Sequence, residues 1–185
     1  MSQRVYPAKP REDREIEHRM LILYFLQRME LPTPLGAIVD FVCSGSYMHF
    51  YLLHEYLEEM KKLDYMMEIK DDDIIRYVIT ETGNAALSTF DSYLSLGMKE
   101  QIGEYAKKKH PKIKREMDIA AKYFFDEETE EYLTKLSVYD EKILLMEINM
   151  NVVSREIAEF ICTNWRNNVD NIYGKVTELL ITKKS

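Results

Sequence analysis

Glycine is scarce in this chain, with six among 185 residues. There is no glycine-rich phosphate loop, no Gly-x-Ser-x-Gly elbow and no His-Glu-x-x-His pair, so the motifs of nucleotide, acyl-transfer and zinc-hydrolase chemistry are missing. No paired carboxylates stand out from the Lys-interspersed acids of solvated helix faces. The expectation is a protein that is not an enzyme and uses no cofactor. Cysteine is scarcer still: Cys43 and Cys162 fall in different expected helices, form no Cys-x-x-Cys pair and read as small buried hydrophobes in a reducing compartment. The four histidines make no metal site, because His49 and His54 are five apart rather than four and no cysteine cluster accompanies them. No apolar run approaches the ~20 residues that span a bilayer. Leu21 to Leu26 is bounded by Arg19 and Gln27, and the polar start (Arg4, Lys9, Pro10, Arg11, Asp13, Arg14) lacks the apolar stretch of a secretory leader. The cytoplasm is the expected location, with no membrane partner. A positive balance is also missing, since the formal net charge is −7. Proteins that live on phosphate contacts carry a basic footprint, because much of their affinity comes from counterion release. Any DNA contact must therefore use local basic patches.

What the chain does have is apolar and aromatic material, 46% and 11% of its residues, enough for one generous domain or two small ones. Residues 1–12 read as a flexible arm. A helix is expected from Asp13 to Met29, where Ile16, Met20, Leu23, Tyr24 and Leu26 recur at helical spacing. Leu31-Pro32-Thr33-Pro34 breaks the chain; Thr33 suits the cap of a second helix and Pro34 its first position, with the helix ending near Cys43. Ser44-Gly45-Ser46 makes a turn. A third helix runs from Tyr47 or His49 to Leu63, with Leu53, Tyr56, Leu57, Met60 and Leu63 as its inner stripe. Strands at Tyr65–Lys70 and Ile74–Thr80 flank the acidic tip Asp71-Asp72-Asp73, and Ile75, Tyr77 and Ile79 alternate with Arg76 and Val78. Thr80 can cap the next helix, Glu81 favours its start, and Gly83 would let a neighbouring backbone come close. Three helices, a hairpin and a helix is a winged helix-turn-helix order.

That helix is expected to reach Tyr93, with a break around Leu96-Gly97-Met98 and a further segment to Lys109 that Pro111 interrupts or kinks. Beyond Asp118 the period changes. Tyr123 and Phe125, then Tyr132, Leu136 and Val138, then Leu144, Met146, Ile148 and Met150 alternate as three antiparallel strands, with a tight turn at Asp140-Glu141. Ser154 starts a closing helix whose stripe is Ile157, Phe160, Ile161, Trp165, Val169, Ile172, Val176 and Leu180. The expected fold is α+β: a winged helix-turn-helix domain at 13–92, a helical connector at 93–117, and at 118–185 a three-stranded antiparallel sheet covered by a long helix.

Leu23-Tyr24-Phe25-Leu26, Phe50 to Leu57, Tyr77-Val78-Ile79-Thr80-Glu81-Thr82-Gly83, and Ala158, Ile161, Cys162, Asn164, Trp165 and Ile172-Tyr173 carry a resemblance over nearly the whole chain. The chain resembles an uncharacterised Firmicutes family catalogued as a domain of unknown function. Its N-terminal half resembles the DNA-binding part of PadR- and MarR-type transcriptional regulators. The resemblance implies a regulatory role and brings no known effector or operator.

The expected partner is promoter DNA, bound by a homodimer whose paired third helices meet half-sites about one DNA turn apart. Candidate contacts are Arg11 on the arm and Arg14 just beyond it, Tyr47, His49, Tyr51, His54 and Lys62 on or beside the third helix, and Arg76 on the hairpin. Protonation of His49 and His54 below ~6.5 would strengthen such binding. A second basic cluster comprises Lys107, Lys108, Lys109, Lys112, Lys114 and Arg115. The same third-helix face carries Glu55 and Glu58, acceptors that can read cytosine but repel phosphate. The alternative is a winged-helix module that binds protein instead of DNA.

Overall fold

The computed structural model of the protein describes residues 10–71 and 74–182. Pro10 cannot donate a backbone hydrogen bond, and the chain coils directly after it into α1 (Arg11–Met29). Glu12 and Asp13 suit the positive end of the helix, and Arg11 pairs with Glu15 one turn on at 2.9 Å. The helix thus begins two residues before the expected Asp13, within the segment expected as an arm. Arg4 and Lys9 lie outside the described residues. Met20, Leu21, Ile22, Leu23, Phe25 and Leu26 are all buried, a broader face than the expected stripe, because α2, β3 and α4 pack against different sides of α1.

Thr33 does not cap a helix. With Pro34 it forms β1 (Thr33–Pro34), pairs with Tyr77, and its buried hydroxyl donates to the Leu31 carbonyl at 2.9 Å. β1 is an edge strand, the position where proline's missing amide costs no ladder bond. α2 (Leu35–Ser44) and α3 (Phe50–Lys62) follow, each without a side-chain cap. β2 (Met66–Asp71) and β3 (Ile74–Ile79) form the expected hairpin, and the sheet order is β1-β3-β2, all antiparallel. Its tip, Asp72-Asp73, lies outside the described residues. The simple alternation expected along β3 does not hold. Tyr77 is buried, but so is Arg76, while Ile74 and Ile75 are exposed. Cover from α1 and α2 reaches only the base of the hairpin, leaving its distal half bare on both faces.

Thr80 ties the hairpin to α4 (Glu81–Thr89). Its hydroxyl accepts from the Gly83 amide at 3.0 Å and donates to the Asp64 carbonyl at 2.5 Å, while its own amide donates to the Tyr65 carbonyl at 3.1 Å. A Cβ at Gly83 would stand 2.0 Å from that Tyr65 oxygen, so the close approach expected at this glycine is to the residue just ahead of the hairpin. α4 stops at Thr89, short of the expected Tyr93, and a 3-10 turn covers Asp91–Tyr93. α5 (Leu96–Met117) starts at Leu96, where a break had been expected, because Ser95 Oγ accepts from the Met98 amide at 3.2 Å. It also runs through Pro111 without stopping. Pro111 is exposed, so the carbonyl it leaves without an amide partner can turn to water.

The chain divides into two units, residues 1–111 and 112–185. The second holds β4 (Ile119–Asp126), β5 (Glu131–Asp140) and β6 (Ile143–Val152) in the order β4-β5-β6, antiparallel throughout. α6 (Arg155–Ile181) is capped by Ser154, which accepts from the Ile157 amide at 3.4 Å. Ala121, Leu136 and Val138 of the sheet pack against Cys162, Trp165 and Val169 of the helix. The Trp165 indole donates to the Ser137 carbonyl at 3.2 Å, which meets its polar requirement within the core. The expected helix stripe holds in its middle and fails at its ends. Ile157, Phe160 and Leu180 are exposed, and Ala158 and Cys162 are buried in place of the first two. Small side chains at the start of α6 let it lie close to the sheet, which turns the larger neighbours outward. The whole is an α+β fold, with six helices and two three-stranded antiparallel sheets among the described residues. Glu30, Ser46, Asp64, Glu130 and Glu141 take left-handed backbone angles at turns, with φ between 54° and 58°.

Two glycines should respond oppositely to alanine. Gly83→Ala forces its Cβ onto backbone and is expected to cost about 1–3 kcal/mol. Gly36→Ala meets nothing within 4 Å and is expected to stabilise α2 by ~0.4–1 kcal/mol. Urea unfolding of both variants checks this, and equal effects would refute the contact assigned to Gly83. A second expectation concerns His18, half-buried against Tyr56 with ring centroids 5.8 Å apart. Burial holds its imidazole below the ordinary 6.5. A depressed folded value means this contribution to stability is intact above pH 6.5 and is lost as pH falls below it. The urea midpoint should drop between pH 7 and 5 and drop less in His18→Gln; parallel slopes would remove His18 as the cause.

Candidate functional site

The outer side of α3 gathers half of the expected contact residues, His49, Tyr51, His54 and Lys62. Its inner side, Leu53, Tyr56, Leu57 and Met60, is buried, at the 3-4 spacing that keeps one helical face inward. α1 holds it from behind. Arg19 donates to Glu59 at 2.7 Å, its guanidinium lies 4.7 Å from the centre of the Tyr56 ring, and His18 packs beside the same ring. Neither contact was legible in the sequence, because residues 40 apart reveal no pairing until the helices cross.

With the inner side anchored, the opposite side is displayed. Tyr51 is 87% exposed. His49 is exposed at the cap position, and His54 is half-buried edge-on to Phe50, 4.6 Å between centroids. Glu55, Glu58 and Lys62 are exposed along the same side. Glu58 is bound to Lys61 at 2.7 Å, and that ion pair holds its carboxyl below the usual range. Lys61 also reaches Glu68 of β2 at 2.9 Å, and together the two carboxylates raise its own pKa. Part of the acidity of α3 is thus offset locally, by a pairing that is worth little as stability in solvent.

Three of the expected residues are placed otherwise. Tyr47 is half-buried in the α2–α3 turn, stacked on Phe41 at 5.3 Å, with its hydroxyl donating to Gln101 of α5; burial pushes its phenol up. It braces the turn from inside. Arg76 is 3% exposed in the central strand, with Pro34 and Ile69 as its neighbours across the ladders, so it is buried where an outward contact was expected. Arg11 is helical and not part of a flexible arm, and it continues into the helix where Arg14 was expected. Both are exposed on the first turns of α1, and Arg14 is one turn before His18, which faces the Tyr47 backbone. That places Arg14 on the flank of the α2–α3 turn.

The hairpin shows something the sequence reading missed. Met67, Ile69 and Ile74 are exposed on one face and Ile75 on the other, while Phe50 and Leu63 are exposed at the two ends of α3. The signal was present in the period-2 pattern, since Met67 and Ile69 share a face that a half-buried hairpin would make polar.

Beside α2, a shallow cleft of about 410 Å³ is lined by Asp40, Phe41, Ser44, Gly45, Tyr47, Gln101 and Tyr105. The Tyr105 hydroxyl donates to Asp40 at 2.7 Å, and Lys109 bonds the same carboxylate at 2.9 Å. These bonds hold Asp40 below the usual carboxylate range, whereas burial and then Asp40 raise Tyr105. A smaller cleft of about 300 Å³ brings Arg28, Glu30, Lys107 and His110 together. The expected basic cluster is partly spent in pairs: Lys109 with Asp40, Lys114 with Glu141 at 3.2 Å, and Arg115 with Asp170. Lys107, Lys108 and Lys112 are exposed. Among the described residues, no three His, Cys, Asp or Glu side chains group as metal ligands, and no helix is long and apolar enough to cross a membrane.

Neither a curated protein nor a solved structure matches the chain. A family model described as Domain of unknown function (DUF4364) matches residues 18–180, from the α1 turn that holds α3 to the last turn of α6. With a match over that span, the chain belongs to the DUF4364 family.

Proposed function

We propose that the N-terminal part of the chain, about residues 13–92, is a winged helix-turn-helix and that the protein is a cytoplasmic transcriptional regulator binding promoter DNA as a homodimer. The observation that carries this reading is α3, anchored by one face and bare along the other, beside a sheet of order β1-β3-β2 whose hairpin follows it directly. In a winged helix the exposed helix enters the major groove and the hairpin lies along the flank. Tyr51, His49, His54 and Lys62 then approach bases or phosphates, and Arg11 and Arg14 approach the backbone beside the α2–α3 turn. Arg76 takes no part, being buried. Residues 93–117 connect to the C-terminal sheet and helix, which supply dimerisation or effector sensing.

A second reading is favoured by the hairpin. Met67, Ile69 and Ile74 form an exposed apolar stripe where a phosphate-binding wing would carry polar or basic groups. In that reading the same scaffold docks a protein.

Binding of the full chain to a pool of the host's promoter fragments, measured across salt concentrations, separates the two. Regulator function predicts selective enrichment with a steep salt slope, a loss of about tenfold or more in Tyr51→Ala, and a slope lower by about one in Lys62→Gln. Absence of enrichment at low salt, from protein that is dimeric, would overturn the DNA reading.

A further inference from the structure

α6 covers its sheet unevenly, packing on β4 and β5 and touching β6 least. On β5 the covered face holds Leu136 and Val138 at 4% and 2% exposure. One strand on, the same face is half open: Met146 and Ile148 are half-buried and Met150 is 42% exposed. The two edges of the sheet differ in the same sense. Along β4, Arg166 of α6 donates to the Ala121 carbonyl at 2.5 Å and Glu159 accepts from the Tyr123 hydroxyl at 2.8 Å. Lys122 stands mid-strand there, a charge of the kind that keeps an edge from pairing. β6 carries no such guard. Among the described residues its backbone partners lie in β5 alone.

The shape of β6 leaves one stretch of that edge straight. Val138 pairs with Met146 but Tyr139 with Leu144, so Leu145 is an extra residue that bends the start of the strand. From Met146 to Val152 the ladder is regular. This stretch, Met-Glu-Ile-Asn-Met-Asn-Val, has no proline, lysine or arginine, and its one charge is Glu147. A regular edge of this kind is a template for a further strand, held by main-chain hydrogen bonds.

We infer that a second copy of this chain supplies that strand, β6 against β6, antiparallel about a two-fold axis at Asn149. In this register the stretch is complementary to itself. Met146 faces Val152 of the second copy and Ile148 faces its Met150, all on the side that α6 shares. On the other side Glu147 meets Asn151 and Asn149 meets Asn149, so a carboxylate faces an amide and no like charges are opposed. Within one chain Glu147 already accepts from the Asn149 amide at 3.0 Å, which is the same chemistry. An axis at Glu147 would set two carboxylates face to face. A slip of one residue would lay the apolar side of one strand against the polar side of the other. The two-fold contact closes on itself and joins the two three-stranded sheets into one. The inference rests on the homodimer part of the proposed function and is independent of DNA.

Disulfide trapping of the full chain tests it, because opposed residues of antiparallel strands stand about 4.5–5.5 Å apart at Cα, within disulfide reach. Under mild oxidation at micromolar concentration, Asn149→Cys is expected to form a covalent dimer. Glu147→Cys and Asn151→Cys are each expected to stay uncross-linked alone and to cross-link when mixed. The wild type, whose own thiols are Cys43 and the buried Cys162, is the control. By sedimentation the wild type is expected to be dimeric. Asn149→Lys, which opposes two ammonium groups, should weaken that dimer several-fold with unchanged circular dichroism, since Asn149 is exposed. A wild-type dimer whose Asn149→Cys variant does not cross-link would overturn this interface and leave the homodimer standing. Glu147→Cys cross-linking alone as fast as Asn149→Cys would overturn the register. A monomeric wild type would overturn both the interface and the homodimer.

Discussion

The first unit is organised by a helix whose middle has almost no solvent face. From Met20 to Leu26 only Tyr24 is partly open, so α2, β3 and α4 each have a side of α1 to cover, and together they fix the position of what is attached to them. Burial of each large aliphatic side chain there is worth about 1.5–3 kcal/mol, far more than any surface ion pair in the molecule. α3 is placed by this arrangement and not by its own surface chemistry. Its inner residues and the Arg19–Glu59 contact hold it, which leaves the outer side chains free of structural duty. A face relieved of that duty is one that can be shaped for binding.

Much of this architecture can be read from local pattern. The strand-to-helix junction at Thr80, the hairpin, the three C-terminal strands and the cap at Ser154 all depend on residues within a few positions of one another, where periodicity and capping chemistry operate. What local pattern missed depends on partners far along the chain. Thr33 has the chemistry of a helix cap, but Tyr77, 44 residues later, offers its backbone a strand ladder instead. Arg76 has the chemistry of a surface contact, but it occupies the central strand. Pro111 is a helix breaker only where the carbonyl it strands cannot reach water. The face of α6 was misjudged at Phe160 because size alone suggested burial, whereas the closeness of helix and sheet selected Ala158 and Cys162. For the candidate site, the residues on α3 were legible because a helical stripe implies its opposite side; the burial of Tyr47 and the helical placement of Arg11 were not.

The electrostatic character of the surface follows from pairing more than from totals. A net charge of −7 suggests a field hostile to phosphate, yet Glu58, Glu59 and Glu68 are each engaged by a cation of the same unit. The basic side is reduced in the same manner, with Lys109, Lys114 and Arg115 occupied by carboxylates. What faces solvent around α3 and the hairpin therefore mixes aromatic, aliphatic and imidazole groups with charged side chains such as Glu55, Lys62 and Lys70. Recognition there would draw on stacking and apolar contact at least as much as on charge, whichever kind of macromolecule meets it.

The left-handed turn residues bear on how the molecule comes to be folded. Glu30, Ser46, Asp64, Glu130 and Glu141 each hold a backbone conformation that glycine would adopt freely and an L side chain resists by roughly 1–2 kcal/mol. Five such positions amount to several kcal/mol, comparable with the whole net stability of an ordinary domain. The helices and strands that flank each corner offset that cost, so these turns are held by their neighbours and not by their own backbone preference.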